Sequence, residues 1–227
     1  MDFDFSPLFI SLKSALVGTS ITFVLGLIIA YWMSTYNGRF KSVIDSILTI
    51  PLVLPPTVLG FVLLVIFGKR GHFGGFLHSI GHSPIFTWKA AAIAATVVSF
   101  PLMYRTAKGA FEQVDLDVVN AARTLGISEW NIFLKLSIPM AWPGIAAGTV
   151  LALARALGEF GATLMIAGNI PKKTQTIPTA IYFASQSGNM KVAWIWVGVI
   201  FILSFIFIML VNYWGNKNVS SSVRREL

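Results

Sequence analysis

Long apolar stretches separated by short polar intervals dominate the chain. Five of them are apolar enough to predict membrane-crossing helices, and they cover Leu8–Met33, Val43–Phe67, Lys89–Tyr104, Ile138–Leu157 and Val192–Trp214. A spanning helix needs about 20 mostly apolar residues, and the third and fourth stretches are the shortest of the five. The pattern predicts an all-α integral membrane protein that consists of one domain, residues 1–227, with five transmembrane helices.

The second apolar stretch contains several residues that interrupt helices. Pro51, Pro55, Pro56 and Gly60 fall within ten residues of one another. Proline removes a backbone donor, and inside a bilayer the freed carbonyl groups are tolerated only where protein or a water-filled cavity surrounds them. These four residues are therefore candidates for a translocation pathway or gate. A kink that serves only the packing of a helix bundle is the alternative.

Two ionisable residues lie near the end of the fourth stretch. Arg155 and Glu159 are four residues apart, which predicts that they share one face of a helix. Ionisable groups at membrane depth are costly and therefore indicate a functional site. We add Arg155, Glu159 and the neighbouring Gly161 to the candidate pathway. A mutually neutralising pair that locks two helices together is the alternative.

The polar interval between the third and fourth spans, residues 109–137, has helical order of its own. Asp115 and Asp117 predict the beginning of a short helix, because carboxylates accept the unpaired N–H groups of a first turn. Gly126 stands where a residue with positive φ ends such a helix. We call the stretch 115–139 the knob, since two short helices broken at a glycine predict a bent, shallow protrusion.

The second helix of the knob is predicted over Glu129–Leu136. Ser128 is its expected N-cap, and Pro139 is expected to end the segment. The arrangement resembles a DNA-binding helix-turn-helix, but both of its ends are tethered to membrane spans and its charge is nearly balanced. The knob is therefore predicted to bind another protein, and nucleic acid is not an expected partner.

Composition and charge agree with a membrane protein and orient it. Hydrophobic residues make up 56% and charged residues 11% of the chain, against about 25% charged in soluble domains. The N-terminal segment MDFDFSP has two Asp and no basic residue, whereas Lys217, Arg224 and Arg225 follow the last span. The positive-inside rule then predicts a multi-pass plasma (inner) membrane protein with its N-terminus outside and its C-terminus and knob in the cytoplasm.

Catalytic and cofactor motifs are missing from the sequence. It has no Walker A pattern, no G-x-S-x-G, no HExxH and no cysteine. The glycine-rich interval 68–83 contains His72, His78 and His82 without a ligand signature, and we expect a flexible outer loop rather than a metal site. The chain is therefore expected to be non-enzymatic, without a bound cofactor or metal, and any ATP-driven transport requires a separate ATPase.

The knob sequence resembles a known family. Its segment NAARTLGISEWNIFLKLSIP is similar to the EAA loop of ABC-importer permeases, whose pattern is EAA, three residues, Gly, nine residues and I-x-L-P. Asn120, Ala121 and Ala122 stand at the EAA positions, Gly126 at the glycine and Leu136-Ser137-Ile138-Pro139 at I-x-L-P, so the spacing matches throughout, the glycine and proline are kept, and Asn120 replaces the glutamate. That departure puts any salt bridge of the motif glutamate in doubt.

The resemblance implies a type I ABC-importer permease architecture with the knob as a cytoplasmic helix–turn–helix coupling loop. The coupling residues that it implies are Asn120, Ala121, Ala122, Arg123, Leu125, Gly126, Glu129, Leu136, Ile138 and Pro139. Some family members have an additional N-terminal helix that this chain is expected to lack.

Other segments narrow the resemblance to the molybdate permease group. They are IPLVLPP at 50–56, FGKRGHFG at 67–74, ARALGEFGAT at 154–163 and NIPKKTQTIPTAIY at 169–182. The resemblance implies a homodimer with two ABC ATPase subunits, an extracytoplasmic molybdate-binding protein and membrane lipid as partners. Tungstate or sulfate import remains an alternative within the group. A stand-alone secondary anion transporter or channel is the alternative from another class.

Overall fold

Helices are the only regular secondary structure in residues 4–223, the part of the chain that the computed structural model describes. They are numbered α1 to α11 in chain order and cover Ser6–Thr35, Lys41–Val53, Pro56–Phe67, His72–Ser79, Trp88–Glu112, Leu116–Thr124, Glu129–Ile132, Ile138–Leu157, Gly161–Ala167, Ile177–Gln186 and Met190–Val223. A π-helical segment, Phe133–Ser137, joins α7 to α8. Asp2, Arg224 and Arg225, on which the predicted orientation partly rests, lie outside the described residues.

Helix α5 is the centre of the bundle, with α1 and α8 packed against it. Its small residues, among them Ala90, Ala91, Ala94 and Ala95, are buried. Close approach is also allowed by glycine on the neighbouring helices, since a Cβ on Gly18 of α1 would lie 2.9 Å from that of Ala95. The core is therefore built from short side chains that let three helices approach closely, as is typical of helix contacts in membranes.

The second predicted span is two helices rather than one. The axes of α2 and α3 differ by 111°, and Leu54 and Pro55 between them have extended backbone. Pro51 lies inside α2, whereas Pro56 is the first residue of α3, a position that tolerates proline. In the described part of the chain four helices are long and apolar enough to span a membrane, and the bent pair is the possible fifth span.

Four local predictions are wrong. The interval 68–83 was expected to be a flexible loop but contains α4. Pro139 does not end the second helix of the knob, because the chain stays helical from Glu129 to Leu157, with the π-helical segment Phe133–Ser137 just before the proline. Glu159 does not lie on a helix with Arg155, since α8 ends at Leu157. The predicted polar interval also begins later than residue 109, because α5 extends to Glu112.

Candidate functional site

The first helix of the knob begins and ends as its residue types predict. Asp115 is the N-cap of α6, and its Oδ1 accepts the backbone N–H of Asp117 at 2.8 Å. After Thr124 the chain turns at Gly126, whose φ is +77°, and the N–H of Ile127 bonds the carbonyl of Ala122 at 3.1 Å. A Cβ on Gly126 would meet no atom within 4 Å, so the backbone conformation alone demands glycine there.

Arg123 joins the two helices of the knob across this turn. Its Nε and Nη2 donate to the two carboxylate oxygens of Glu129 at 2.6 and 3.1 Å, and its Nη1 donates to Asn120 Oδ1 at 3.2 Å. These hydrogen bonds to Glu129 raise the pKa of Arg123 above its ordinary value. The carboxylate partner therefore comes from the second helix of the knob, while Asn120 stands at the position where the family pattern has glutamate. The pairing between Arg123 and Glu129 was not predicted.

One side of the knob is anchored in the bundle by buried apolar side chains. Val119, Ala122, Ile132 and Phe133 belong to the same buried cluster as residues of α1, α5 and α8. The Phe133 ring lies 4.6 Å from that of Tyr31 on α1, measured between centroids, in a tilted arrangement. Contacts of this kind fix the direction in which the knob protrudes from the bundle.

Several large apolar side chains of the knob are exposed. Leu125 is 79% and Trp130 64% exposed, and Leu116 is also exposed. Large apolar side chains left exposed are candidates for contact with another protein. Among the predicted coupling residues Asn120, Ala121, Arg123, Leu125, Gly126, Glu129 and Pro139 are exposed, Leu136 and Ile138 are half-buried, and Ala122 is buried.

The candidate pathway residues come together where two broken helices meet. A Cβ on Gly60 of α3 would lie 2.7 Å from Met165 Cβ on α9, and one on Gly161 would lie 2.9 Å from Pro56 Cβ. The break before α3 and the break before α9 therefore face each other. Pro51 lies on the other side of the bend, inside α2, so this contact joins Pro56, Gly60 and Gly161 only.

Arg155 and Glu159 form an ion pair across the end of α8. Arg155 Nη1 lies 2.7 Å from Glu159 Oε2, and the other carboxylate oxygen accepts the backbone N–H of Ala162 at 2.8 Å. The Glu159 side chain is 2% exposed and that of Arg155 31%. Glu159 thus ties the first turn of α9 to the last turn of α8. The ion pair of the alternative interpretation is present, and it joins two helices, because the residues do not share one.

Asp45 is an ionisable residue inside the second predicted span that was not among the candidate residues. It accepts hydrogen bonds from Tyr104 and Lys108 of α5. The signal that would have found it is the same one that singled out Arg155 and Glu159, a charged residue at membrane depth.

The chain is similar to membrane subunits of binding-protein-dependent transporters. Residues 22–225 match the family model described as "Binding-protein-dependent transport system inner membrane component". The chain is 48% identical over 209 residues, 92% of each protein, to a putative molybdenum transport system permease protein, YvgM, of Bacillus subtilis (strain 168). It is 42% identical over 187 residues, 82% of each protein, to the molybdenum transport system permease protein ModB of Escherichia coli (strain K12).

The fold is shared with a chain of the MetNI methionine ABC transporter, solved in inward-facing conformations. The TM-score is 0.70 at 20% sequence identity, over 95% of this chain and 94% of that one. An identity this low is evidence for the architecture only.

Proposed function

The chain belongs to the family of binding-protein-dependent transport system inner membrane components, and we propose that it is the permease subunit of an ATP-driven molybdate importer. The observation that carries the proposal is the 48% identity, over 92% of each protein, to a putative molybdenum transport permease. The subunit is not itself an enzyme. ATP is hydrolysed by a separate subunit, since the sequence has no Walker A pattern for phosphate binding.

The knob is the surface through which ATP hydrolysis is coupled to transport. Its exposed Leu125 and Trp130 supply apolar contact area, and the Arg123–Glu129 pair keeps its two helices at a set angle. Each of two ABC ATPase subunits holds the knob of one permease chain. Because the ATPase works in the cytoplasm, the knob and C-terminus face inward and the N-terminus faces outward across the plasma membrane, as the terminal charges predict.

The pathway runs between two copies of the chain, and the meeting point of the two broken helices is its narrowest part. Broken helices are tolerated at membrane depth where they line a cavity, and they provide a site at which helices change direction. Closure of the ATPase pair draws the knobs together and rocks the spans, so that the pathway opens alternately to each side.

A permeation path for the molybdate dianion must attract the anion without trapping it. Glu159 neutralises Arg155, so the pair presents a partly exposed guanidinium edge without a full net charge. Multiple weak interactions permit both entry and release. Tight selection of the anion belongs to the extracytoplasmic molybdate-binding protein that delivers it.

Reconstitution in liposomes tests the proposal. The permease, its ATPase and its binding protein are expected to accumulate labelled molybdate only when ATP and binding protein are both present. Uptake without ATP would instead identify a secondary transporter or channel. Stimulation of ATP hydrolysis by the binding protein is then compared with molybdate, tungstate or sulfate bound to it. Stronger stimulation with tungstate or sulfate would overturn the assignment to molybdate.

A further inference from the structure

A polar cluster that contains none of the candidate knob or pathway residues ties α2 to α5. Asp45 Oδ1 accepts the Tyr104 hydroxyl at 2.5 Å and Lys108 Nζ at 2.7 Å. Tyr104 is fully buried, and the side chains of Lys108 and Asp45 are 16% and 33% exposed. A carboxylate, a phenol and an ammonium group thus converge from two helices, with Glu112 4.0 Å from the same ammonium group.

Helix α2 packs against α5 with little buried surface of its own, so this cluster is an important contact for it. None of its 13 residues is buried, and its apolar anchorage is limited to the half-buried Ile44 and Leu48. Without the Asp45 carboxylate, the Tyr104 hydroxyl would lack its acceptor and Lys108 its closest counter-charge. A buried group left unpaired costs more than an ordinary hydrogen bond contributes, so the tie favours a fixed placement of α2 on α5.

The tie lies on a continuous physical connection between the knob and the candidate gate. Helix α5 ends at Glu112, three residues before α6 of the knob begins at Leu116. At its other end α2 meets the bend at Leu54 and Pro55. Beyond the bend, α3 packs against α9 through Gly60 and Gly161. Pro55 and Pro56 have a φ fixed by their rings, and each also restricts the residue before it, so the bend is a stiff joint between the two helices.

We propose that Asp45 is a positioning residue that makes α2 move together with α5, and so transmits displacement of the knob to the bend before α3. In this arrangement α5 and α2 move as one body, and the stiff bend at Leu54 and Pro55 passes the displacement on to α3. The inference rests on the proposed function, because it assigns a mechanical role within ATP-driven transport.

The test compares Asp45→Asn with Glu112→Gln in the reconstituted transporter with its ATPase and binding protein. Glu112 is a matched control, because its carboxylate lies 4.0 Å from Lys108 Nζ. Both residues belong to α5, so this contact does not join α5 to α2. Molybdate delivered per ATP hydrolysed is measured for each protein. Asp45→Asn keeps an oxygen for the Tyr104 hydroxyl but removes the charge that pairs with Lys108. We expect this variant to hydrolyse ATP while the ratio falls about fivefold or more, the lower end of typical couplings between sites. Glu112→Gln is expected to keep the wild-type ratio.

A second variant keeps the proposal testable if Asp45→Asn does not fold. Tyr104→Phe removes one hydroxyl from the cluster and retains the ring and the Lys108 pair, so its ratio is expected to fall less but in the same direction. A merely structural cluster would lower the unfolding temperature of these variants and leave the ratio unchanged, and that result would overturn the inference. If the wild-type transporter itself shows no ATP-dependent uptake, it is the proposed function that fails.

Discussion

Arg155 and Glu159 are paired across the junction of α8 and α9, and the second oxygen of Glu159 accepts the N–H of Ala162. One buried carboxylate therefore serves both as the counter-charge of a cation and as the cap of a short helix. The junction is held by polar contacts at the point where α9 meets the break before α3.

Glu159→Gln is expected to destabilise the permease while preserving the cap. Glutamine still offers an oxygen to Ala162, but the charge of Arg155 is no longer compensated. Breaking a buried pair costs roughly 3–5 kcal/mol, and we expect less than this, about 1–3 kcal/mol, because Arg155 is partly solvated. Thermal unfolding of the purified subunit in detergent measures the loss. The double variant Arg155→Leu/Glu159→Gln is the control and should regain part of it, whereas equal stability of wild type and Glu159→Gln would contradict the role of the pair.

Gly126→Val is expected to detach the ATPase or abolish uptake. The φ of +77° is strongly disfavoured for a β-branched residue, so the turn must change shape and the two helices of the knob must reorient. Gly126→Asn is the matched control, because asparagine tolerates left-handed backbone and the surrounding space is open. Co-purification of the ATPase and molybdate uptake are measured. Full activity of the valine variant would count against docking at the knob.

Asn120→Glu is expected to make the knob less dependent on Glu129. A carboxylate at position 120 lies next to Arg123 Nη1, which already bonds the Asn120 amide oxygen at 3.2 Å, and competes with Glu129 for the guanidinium. Glu129→Gln should therefore weaken ATPase binding more in the wild type than in the Asn120→Glu background. The side chains of Arg123 and Glu129 are 41% and 61% exposed. The two effects of Glu129→Gln on ATPase binding are therefore expected to differ by about 0.2–1 kcal/mol. A double-mutant cycle on the Kd between permease and ATPase measures this difference. Additive effects of the two substitutions would show that residues 120 and 129 do not compete for Arg123.

Gly60→Ala is expected to disrupt the contact between α3 and α9. The added methyl group would lie 2.7 Å from Met165 Cβ and 2.8 Å from Ala162 Cα, which forces the helices apart. Overpacking of this kind costs about 1–3 kcal/mol. Gly198→Ala on α11 is the matched control, because its added Cβ meets no atom within 4 Å and alanine favours a helix. Unfolding temperature and molybdate uptake are measured for both variants. Equal values for Gly60→Ala and Gly198→Ala would argue against close packing of α3 on α9.

Local features of the fold follow from the sequence alone. The first span was predicted over Leu8–Met33 and the helix covers Ser6–Thr35, because a bilayer sets the length of an apolar run directly. The Asp115 cap and the positive φ of Gly126 were also predicted, since both depend on residues within one helical turn. The resemblance in the knob identified the transporter class for the same reason, because its pattern is contiguous.

Relationships between distant parts of the chain were decided by the tertiary structure. Asp45 and Tyr104 are 59 residues apart, and nothing in either segment marks the other as its partner. Gly161 meets Pro56 only because α3 and α9 pack together, and Arg123 finds Glu129 only after the turn at Gly126 reverses the chain. Apolar pattern and turn chemistry determine where helices begin, bend and end, whereas the approach of side chains from separate helices depends on how those helices pack.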